Sequence, residues 1–232
     1  MKSSRATLLV TAFLASLSAP SFAQNQQVND PIEPVNRGIF AINELLDTIL
    51  IKPIVVTYNT VIPKPIRTGI GNVFSNLDDV FIGANHVLQG RGKDAGTSFG
   101  RVIVNSTVGL GGLIDIASMN GLQKGEGDFG QTLGVWGVGA GPYIVLPVLG
   151  PSNARDTVGR AARIASDPRT YMPKAWSYSL TGAEYVQMRA DNAENADMVD
   201  KFSFDKYSFT RSLYMQRRNS LVTSGKEASS AP

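Results

Sequence analysis

The stretch FGQTLGVWGVGAGPYIVLPVLGPSNA at residues 129–154 carries no charged side chain, and six glycines and three prolines interrupt it. A run of this length is long enough to cross a bilayer. Glycine costs about 1 kcal/mol and proline about 3 kcal/mol inside a helix, which argues against a straight spanning helix. Two interpretations remain. The stretch is either a bent, partly buried loop or hairpin in a protein that contacts lipid, or a glycine-rich turn between core strands of a soluble domain.

The first 23 residues have the pattern of a secretory signal peptide. Lys2 and Arg5 precede the short apolar run 8–17, and a small-x-small cleavage site ends at Ala23. The apolar run is too short to span a membrane. We therefore expect an exported protein that is cleaved after Ala23, with a flexible lead-in at 24–29.

Charge and cysteine content exclude several classes of protein. The formal charge of +3 falls to +1 once the signal peptide is removed, and this balance does not predict nucleic-acid binding. The chain contains no cysteine, which excludes disulfides, thiolate catalysis, cysteine-based metal sites and acylation of a lipoprotein cysteine.

The sequence offers no catalytic set. His86 is the only histidine, and its position on a helical stripe favours a hydrogen-bonded helix residue over a metal ligand. The glycines at 109–112 lack the Lys-Ser/Thr ending of a phosphate loop, and no GxSxG elbow is present. We therefore predict a protein that is not an enzyme, without a metal site or a cofactor.

Apolar residues recur at helical spacing in several short stretches, of which 39–49 and 77–88 are the clearest. Proline and glycine separate these stretches, and only 143–149 favours a strand pair. The pattern predicts an all-α or mostly α fold of many short helices in a single domain at 30–221. The small, polar residues 222–232 predict a disordered tail.

Several motifs in order resemble the VacJ/MlaA family of Gram-negative outer-membrane proteins, and together they cover nearly all of the chain after the signal peptide. They include DPIEPVNR at 30–37, NVFSNL at 72–77, NSTVGLGG at 105–112, DFGQTLG at 128–134, GPYIVLP at 141–147 and YMQRR at 214–218.

The resemblance implies a ring-like helical domain in the inner leaflet of the outer membrane, on its periplasmic face. It implies a channel that removes mislocalised phospholipids from the outer leaflet and passes them to a periplasmic lipid-carrier protein, which maintains lipid asymmetry. It also implies association with a trimeric porin. The alternative function is a soluble periplasmic carrier or binding protein for an apolar ligand, and an enzyme acting on lipid is a third, weaker one because the catalytic set is missing.

The resemblance also implies two sets of site residues. The channel hairpin comprises Phe129, Gly130, Gly134, Gly137, Gly139, Gly141, Pro142, Tyr143 and Pro147. The opening helix, which we expect to influence gating, contributes Asn36, Arg37, Phe40 and Asn43. For the opening helix, the alternative is that these residues only cap and pack it.

One departure concerns attachment to the membrane. The family pattern usually has a signal that ends in a lipidated cysteine, whereas here Gln24 follows Ala23. We therefore expect attachment through buried apolar surface and protein partners.

Overall fold

The computed structural model describes residues 29–193, 196, 199 and 203–230. The predicted signal peptide at 1–23, its cleavage after Ala23 and most of the predicted lead-in lie outside these residues.

The described part of the chain is mostly α-helical, which confirms the predicted fold class. The main helices are α1 (Glu33–Leu46), α2 (Lys52–Val61), α3 (Lys64–Leu88), α4 (Gly92–Thr107), α5 (Ile116–Met119), α6 (Phe129–Val135), α7 (Ala154–Ser166), α8 (Lys174–Asp191) and α9 (Lys206–Ser230). A π-helical segment (Asp47–Ile51) joins α1 to α2, and a 3₁₀ turn (Pro168–Tyr171) precedes α8. The ring shape stays a prediction.

The π-helical segment has a local cause. Pro53 lies in the first turn of α2, and it has no N–H for an i−4 hydrogen bond. Its ring also crowds the carbonyl of residue i−4, which here is Ile49. A wider turn accommodates this crowding, so the chain passes from α1 to α2 without breaking.

The glycine- and proline-rich stretch forms α6, a loop and a two-stranded antiparallel hairpin. Strands β1 (Tyr143–Leu146) and β2 (Gly150–Asn153) pair with Tyr143 opposite Asn153. A strand pair therefore forms where one was predicted, but only β1 lies within 143–149, and β2 lies beyond the predicted range. Tyr143 and Val145 are buried against Tyr207 of α9, so the hairpin forms part of the core.

Polar side chains are buried and apolar side chains are exposed at many positions in this molecule. Several fully buried side chains are polar or charged, and they include Asp79, Arg101 and Asn36. Large apolar side chains lie on the surface instead, with Ile49 68% and Val61 66% exposed. An extensive exposed apolar surface marks contact with lipid or with another protein.

Within the described ranges, no helix combines the length and the hydropathy that crossing a membrane requires.

The C-terminal region differs from the expectation. Residues 222–232 are predicted to be a disordered tail, but α9 continues to Ser230. Gly225 is buried in that helix, and its Cα lies so close to α6 that an added Cβ would be 2.9 Å from a methyl group of Val135. Gln131 also donates a hydrogen bond to the carbonyl of Leu221 at 2.9 Å. These tertiary contacts hold a polar segment whose composition alone predicts disorder.

Candidate functional site

A cavity of about 960 Å³ lies between α3, α7, α9 and the loop 124–128. Helix α3 supplies a mostly apolar wall, which includes Val80, Phe81, Ile82 and Leu88. The wall formed by α7 and α9 is polar and includes Arg160, Arg163, Tyr214, Arg217 and Arg218. The cavity is therefore amphipathic.

Arg218 organises the α9 side of this cavity. Its Nη2 donates to Asp128 Oδ1 at 2.9 Å, and its Nε lies 2.7 Å from Asp156 Oδ2. The hydroxyl of Tyr214 also donates to Asp156 Oδ2 at 2.7 Å. Burial acts to raise the pKa of Asp128, but the hydrogen bond and charge of Arg218 outweigh it and lower that pKa. Asp128 therefore remains ionised at neutral pH.

A second charged cluster lies behind the α3 wall. Arg101 is buried and donates to Asp79 Oδ2 at 2.8 Å and to Asp115 Oδ2 at 3.1 Å. Burial raises the pKa of Asp79 despite the hydrogen bond from Arg101. The ammonium group of Lys124, which lines the cavity, lies 3.8 Å from Asp79 Oδ1. The cluster ties α3 to α4 and to the loop that follows α4.

His86 is a hydrogen-bonded helix residue, as predicted. Its Nδ1 lies 3.3 Å from Ser98 Oγ, and its Nε2 lies 3.2 Å from the carbonyl oxygen of Glu126. Within the part of the chain that the structure describes, no group of three or more His, Asp or Glu side chains is placed to hold a metal ion.

The opening helix α1 binds the hairpin through the side chain of Asn36. Asn36 Nδ2 donates to the carbonyl oxygen of Tyr143 at 3.0 Å, and the backbone N–H of Val145 donates to Asn36 Oδ1 at 2.9 Å. The carboxamide thus satisfies one acceptor and one donor of β1, as a neighbouring strand would.

Asn43 makes the same kind of pair two helical turns further along α1. Its Nδ2 donates to the carbonyl oxygen of Leu146 at 2.9 Å, and the N–H of Val148 donates to its Oδ1 at 2.8 Å. Val148 has a φ of 64°, and Gly150 has a φ of 74°. Asn43 therefore stabilises a tight turn with left-handed backbone.

Arg37 and Phe40 connect α1 to α9. Arg37 Nη2 lies 2.8 Å from Asp205 Oδ2, and its guanidinium carbon lies 4.3 Å from the centroid of the Tyr207 ring. Phe40 packs edge-to-face on the same ring with 5.7 Å between centroids. Tyr207 in turn donates to Asp30, which precedes α1. The opening helix, the hairpin and α9 thus form one connected unit.

A family model described as MlaA lipoprotein matches residues 28–221. The chain belongs to the MlaA family. This confirms the resemblance inferred from the ordered motifs.

Characterised relatives of this MlaA family member match along most of its length. It is 31% identical to the intermembrane phospholipid transport system lipoprotein MlaA of Haemophilus influenzae, over 94% of this chain and 91% of the relative. It is 32% identical to the protein of the same name in Escherichia coli, over 90% and 84% of the two chains. A chain from a structural study of how bacterial outer-membrane lipid asymmetry is maintained superposes with a TM-score of 0.73 at 33% identity. That match covers 83% of this chain and 98% of the other.

The predicted channel residues of this MlaA family member occupy several different environments. Phe129 lines the cavity at the start of α6. Gly130 and Gly134 are buried in α6, and a Cβ on Gly130 would lie 2.5 Å from Asp156 Oδ1. Close packing of α6 on α7 therefore requires glycine at this position.

The remaining predicted channel residues follow α6. They are Gly137, Gly139, Gly141, Pro142, Tyr143 and Pro147. Gly137 and Gly141 have positive φ values of 97° and 70°, whereas an added Cβ at Gly139 would meet no atom within 4 Å. Tyr143 is fully buried in β1, and Pro147 lies at the exposed tip of the hairpin.

Sequence reasoning did not single out the basic wall of the cavity. Arg160 and Arg163 lie one helical turn apart on α7, and Arg217 and Arg218 are adjacent on α9. The i, i+3 spacing of the first pair was the available signal, because such residues share one face of a helix.

Proposed function

We propose that this protein is the outer-membrane component of an intermembrane phospholipid transport system. It removes mislocalised phospholipids from the outer leaflet and passes them towards the inner membrane, which maintains lipid asymmetry. The observation that carries the proposal is the amphipathic cavity inside a molecule with an apolar surface, in a chain related to transport proteins of this kind.

The cavity suits a phospholipid in size and chemistry. Pockets of about 300–1,000 Å³ hold ligands that are largely enclosed, and this one is about 960 Å³. Its apolar wall on α3 accommodates acyl chains, and its polar wall on α7 and α9 accommodates a headgroup. Moving a headgroup into hydrocarbon without such partners costs several kcal/mol, so a polar wall lowers the barrier to its passage.

The exposed apolar side chains support a position in the inner leaflet of the outer membrane. They extend along α1, the π-helical segment and α2, where Leu45, Ile49, Leu50 and Ile54 are exposed. An amphipathic helix with this character lies in the plane of the membrane interface. Because the chain has no cysteine to acylate, attachment rests on this apolar surface and on protein contacts.

The partners that we propose are those that the resemblance to the MlaA family implies. The protein associates with a trimeric porin in the membrane, and a periplasmic lipid carrier receives the phospholipid. Any movement of the opening helix in the passage is coupled to the hairpin, because Asn36 and Asn43 join the two directly. Transport requires no covalent chemistry, so the protein acts as a channel and not as an enzyme.

Complementation of a strain that lacks this protein tests the proposal. A membrane-impermeant amine reagent labels phosphatidylethanolamine in the outer leaflet, and the labelled fraction should rise on deletion and return to normal with the full-length gene. An unchanged labelled fraction in the deletion strain would contradict the transport role.

Cell fractionation separates this function from the alternative of a soluble periplasmic carrier. We expect the protein in the salt-washed outer-membrane fraction, because its apolar surface is too extensive to remain in water. Complete recovery in the soluble periplasmic fraction without detergent would favour the carrier.

A further inference from the structure

The α7 wall of the cavity carries a positive charge that no carboxylate offsets. Arg160 donates from Nη1 and Nη2 to the carbonyl oxygens of Leu149 and Pro151, each at 2.8 Å. No carboxylate among the described residues forms an ion pair with it. A guanidinium held only by neutral carbonyls keeps its full charge available to a ligand.

The other cations that line the cavity all have acidic partners. The pairs are Arg163 with Asp78, Lys124 with Asp78, Arg217 with Glu126 and Arg218 with Asp156. With Asp128, which also pairs with Arg218, the lining contains five cations and four carboxylates, and Arg160 is the cation in excess.

Arg163 lies one turn along the same helix and lines the same wall. Its Nη2 donates to Asp78 at 3.2 Å, but its buried Nη1 has no hydrogen-bond partner. Its guanidinium carbon lies 3.3 Å from the centroid of the Phe81 ring, on the apolar α3 wall. Burial lowers the pKa of Arg163 even though Asp78 acts to raise it, so an anionic acceptor would relieve an incompletely compensated cation.

We propose that Arg160 and Arg163 bind the phosphate of a glycerophospholipid, with the acyl chains lying on the apolar wall of α3. This inference rests on the proposed function and assigns a headgroup site within the cavity. A guanidinium has five N–H donors, and the two carbonyls occupy only two of those on Arg160. The phosphate can therefore bind without displacing the hairpin.

The position of Arg160 gives the site a second role. Leu149 lies in the turn of the hairpin, and Pro151 lies in β2. Phosphate binding at Arg160 therefore joins the lipid headgroup to the hairpin through a single guanidinium.

Lipid binding by the purified full-length protein in mixed detergent micelles tests the site. The probes are phosphatidylglycerol and a diacylglycerol with the same acyl chains, which differ only in the phosphoglycerol headgroup. We expect the wild type to prefer phosphatidylglycerol by at least about tenfold, the size of one or two hydrogen bonds to a charged group. The double variant Arg160→Gln/Arg163→Gln should lose this preference and still bind diacylglycerol.

Two further variants separate charge from structure. Arg160→Lys retains the charge and should keep most of the preference. Lys174→Gln removes a cation from an exposed position outside the cavity and should leave the preference unchanged. Circular dichroism during thermal unfolding checks that each variant is folded.

The outcomes distinguish this site from the proposed function. A folded double variant with the wild-type preference, or one that loses both lipids equally, overturns the headgroup site but leaves the transport role standing. Displacement of phosphatidylglycerol by glycerophosphate at equal affinity would assign the site to a free phosphate and overturn the lipid assignment. A wild type that binds neither lipid contradicts the proposed function itself.

Discussion

The side chain of Asn36 makes the hydrogen bond to Val145 that a neighbouring strand would otherwise make. The two residues lie 109 positions apart, yet the N–H of Val145 donates to the side-chain oxygen of Asn36 at 2.9 Å inside the core. The same carboxamide donates to the carbonyl of Tyr143. A buried strand edge without such partners would leave one donor and one acceptor unsatisfied. A single side chain on the opening helix thus completes the hydrogen bonding of the hairpin.

Replacing Asn36 by alanine should destabilise the protein strongly. The substitution leaves the N–H of Val145 and the carbonyl of Tyr143 buried without partners, and each such group costs about 1–3 kcal/mol. We expect a loss of about 2–4 kcal/mol in the free energy of unfolding, measured by urea denaturation in detergent and followed by circular dichroism.

Asn43→Ala is the matched control for Asn36→Ala. Asn43 makes the same pair of hydrogen bonds to the hairpin. The backbone N–H that donates to it belongs to the exposed Val148, so water can take the place of the Asn43 side chain. We expect a loss of about 1 kcal/mol or less. Equal losses for the two variants would show that burial does not set the cost.

The sequence predicts the helix and the hairpin separately but not the contact between them. Proline and apolar spacing mark α1, and glycine, proline and the absence of charge mark the hairpin. An asparagine on a helix surface gives no local signal of its partner, because the hydrogen bond depends on tertiary placement.

The sequence also did not predict that polar and charged side chains would be buried. Periodicity assigns apolar residues to the core, but in this chain Ile49 faces outward while Asp79 and Arg101 are buried. A protein that contacts lipid gains nothing by hiding all its apolar surface, since lipid tails are as apolar as the side chains. The apolar residues therefore recur at the usual helical spacing, but the apolar face points outward and not into the core.

Substitution should lower the stability of the protein at Gly225 and raise it at Gly182. Gly225→Val would place a methyl group against Val135 and Gln131, and such overpacking costs about 1–3 kcal/mol. Gly182→Ala lies in α8, where an added Cβ meets no atom within 4 Å, so it should stabilise the protein by about 0.5–1 kcal/mol. Thermal unfolding measures the change in stability of both variants. A stabilising Gly225→Val would argue against close packing of the end of α9 on α6.

Stiffening the loop before the hairpin should impair transport without unfolding the protein. Gly139→Pro restricts the backbone next to Gly141, whose positive φ already requires glycine. We expect more phosphatidylethanolamine labelled in the outer leaflet and greater sensitivity to detergent, as in the deletion strain. Gly139→Ala adds a Cβ in open space and should behave as the wild type. Normal expression of Gly139→Pro with an intact barrier would mean that this loop is not the moving part.

Lowering the pH should weaken the charged cluster around Arg101, because Asp115 becomes protonated. Burial acts to raise the pKa of Asp115, but hydrogen bonds from Ser118, Asn105 and Arg101 outweigh it and lower the pKa from 3.8 to about 2. Because the folded-state pKa lies below the unfolded value, Asp115 contributes stability that is complete above about pH 4 and is lost as the pH falls towards 2. The contribution is at most about 2.5 kcal/mol. The difference in unfolding free energy between the wild type and Asp115→Asn should therefore shrink over this interval, as measured by urea denaturation from pH 6 to pH 2. A difference that stays constant down to pH 2 would show that Asp115 does not titrate in this range.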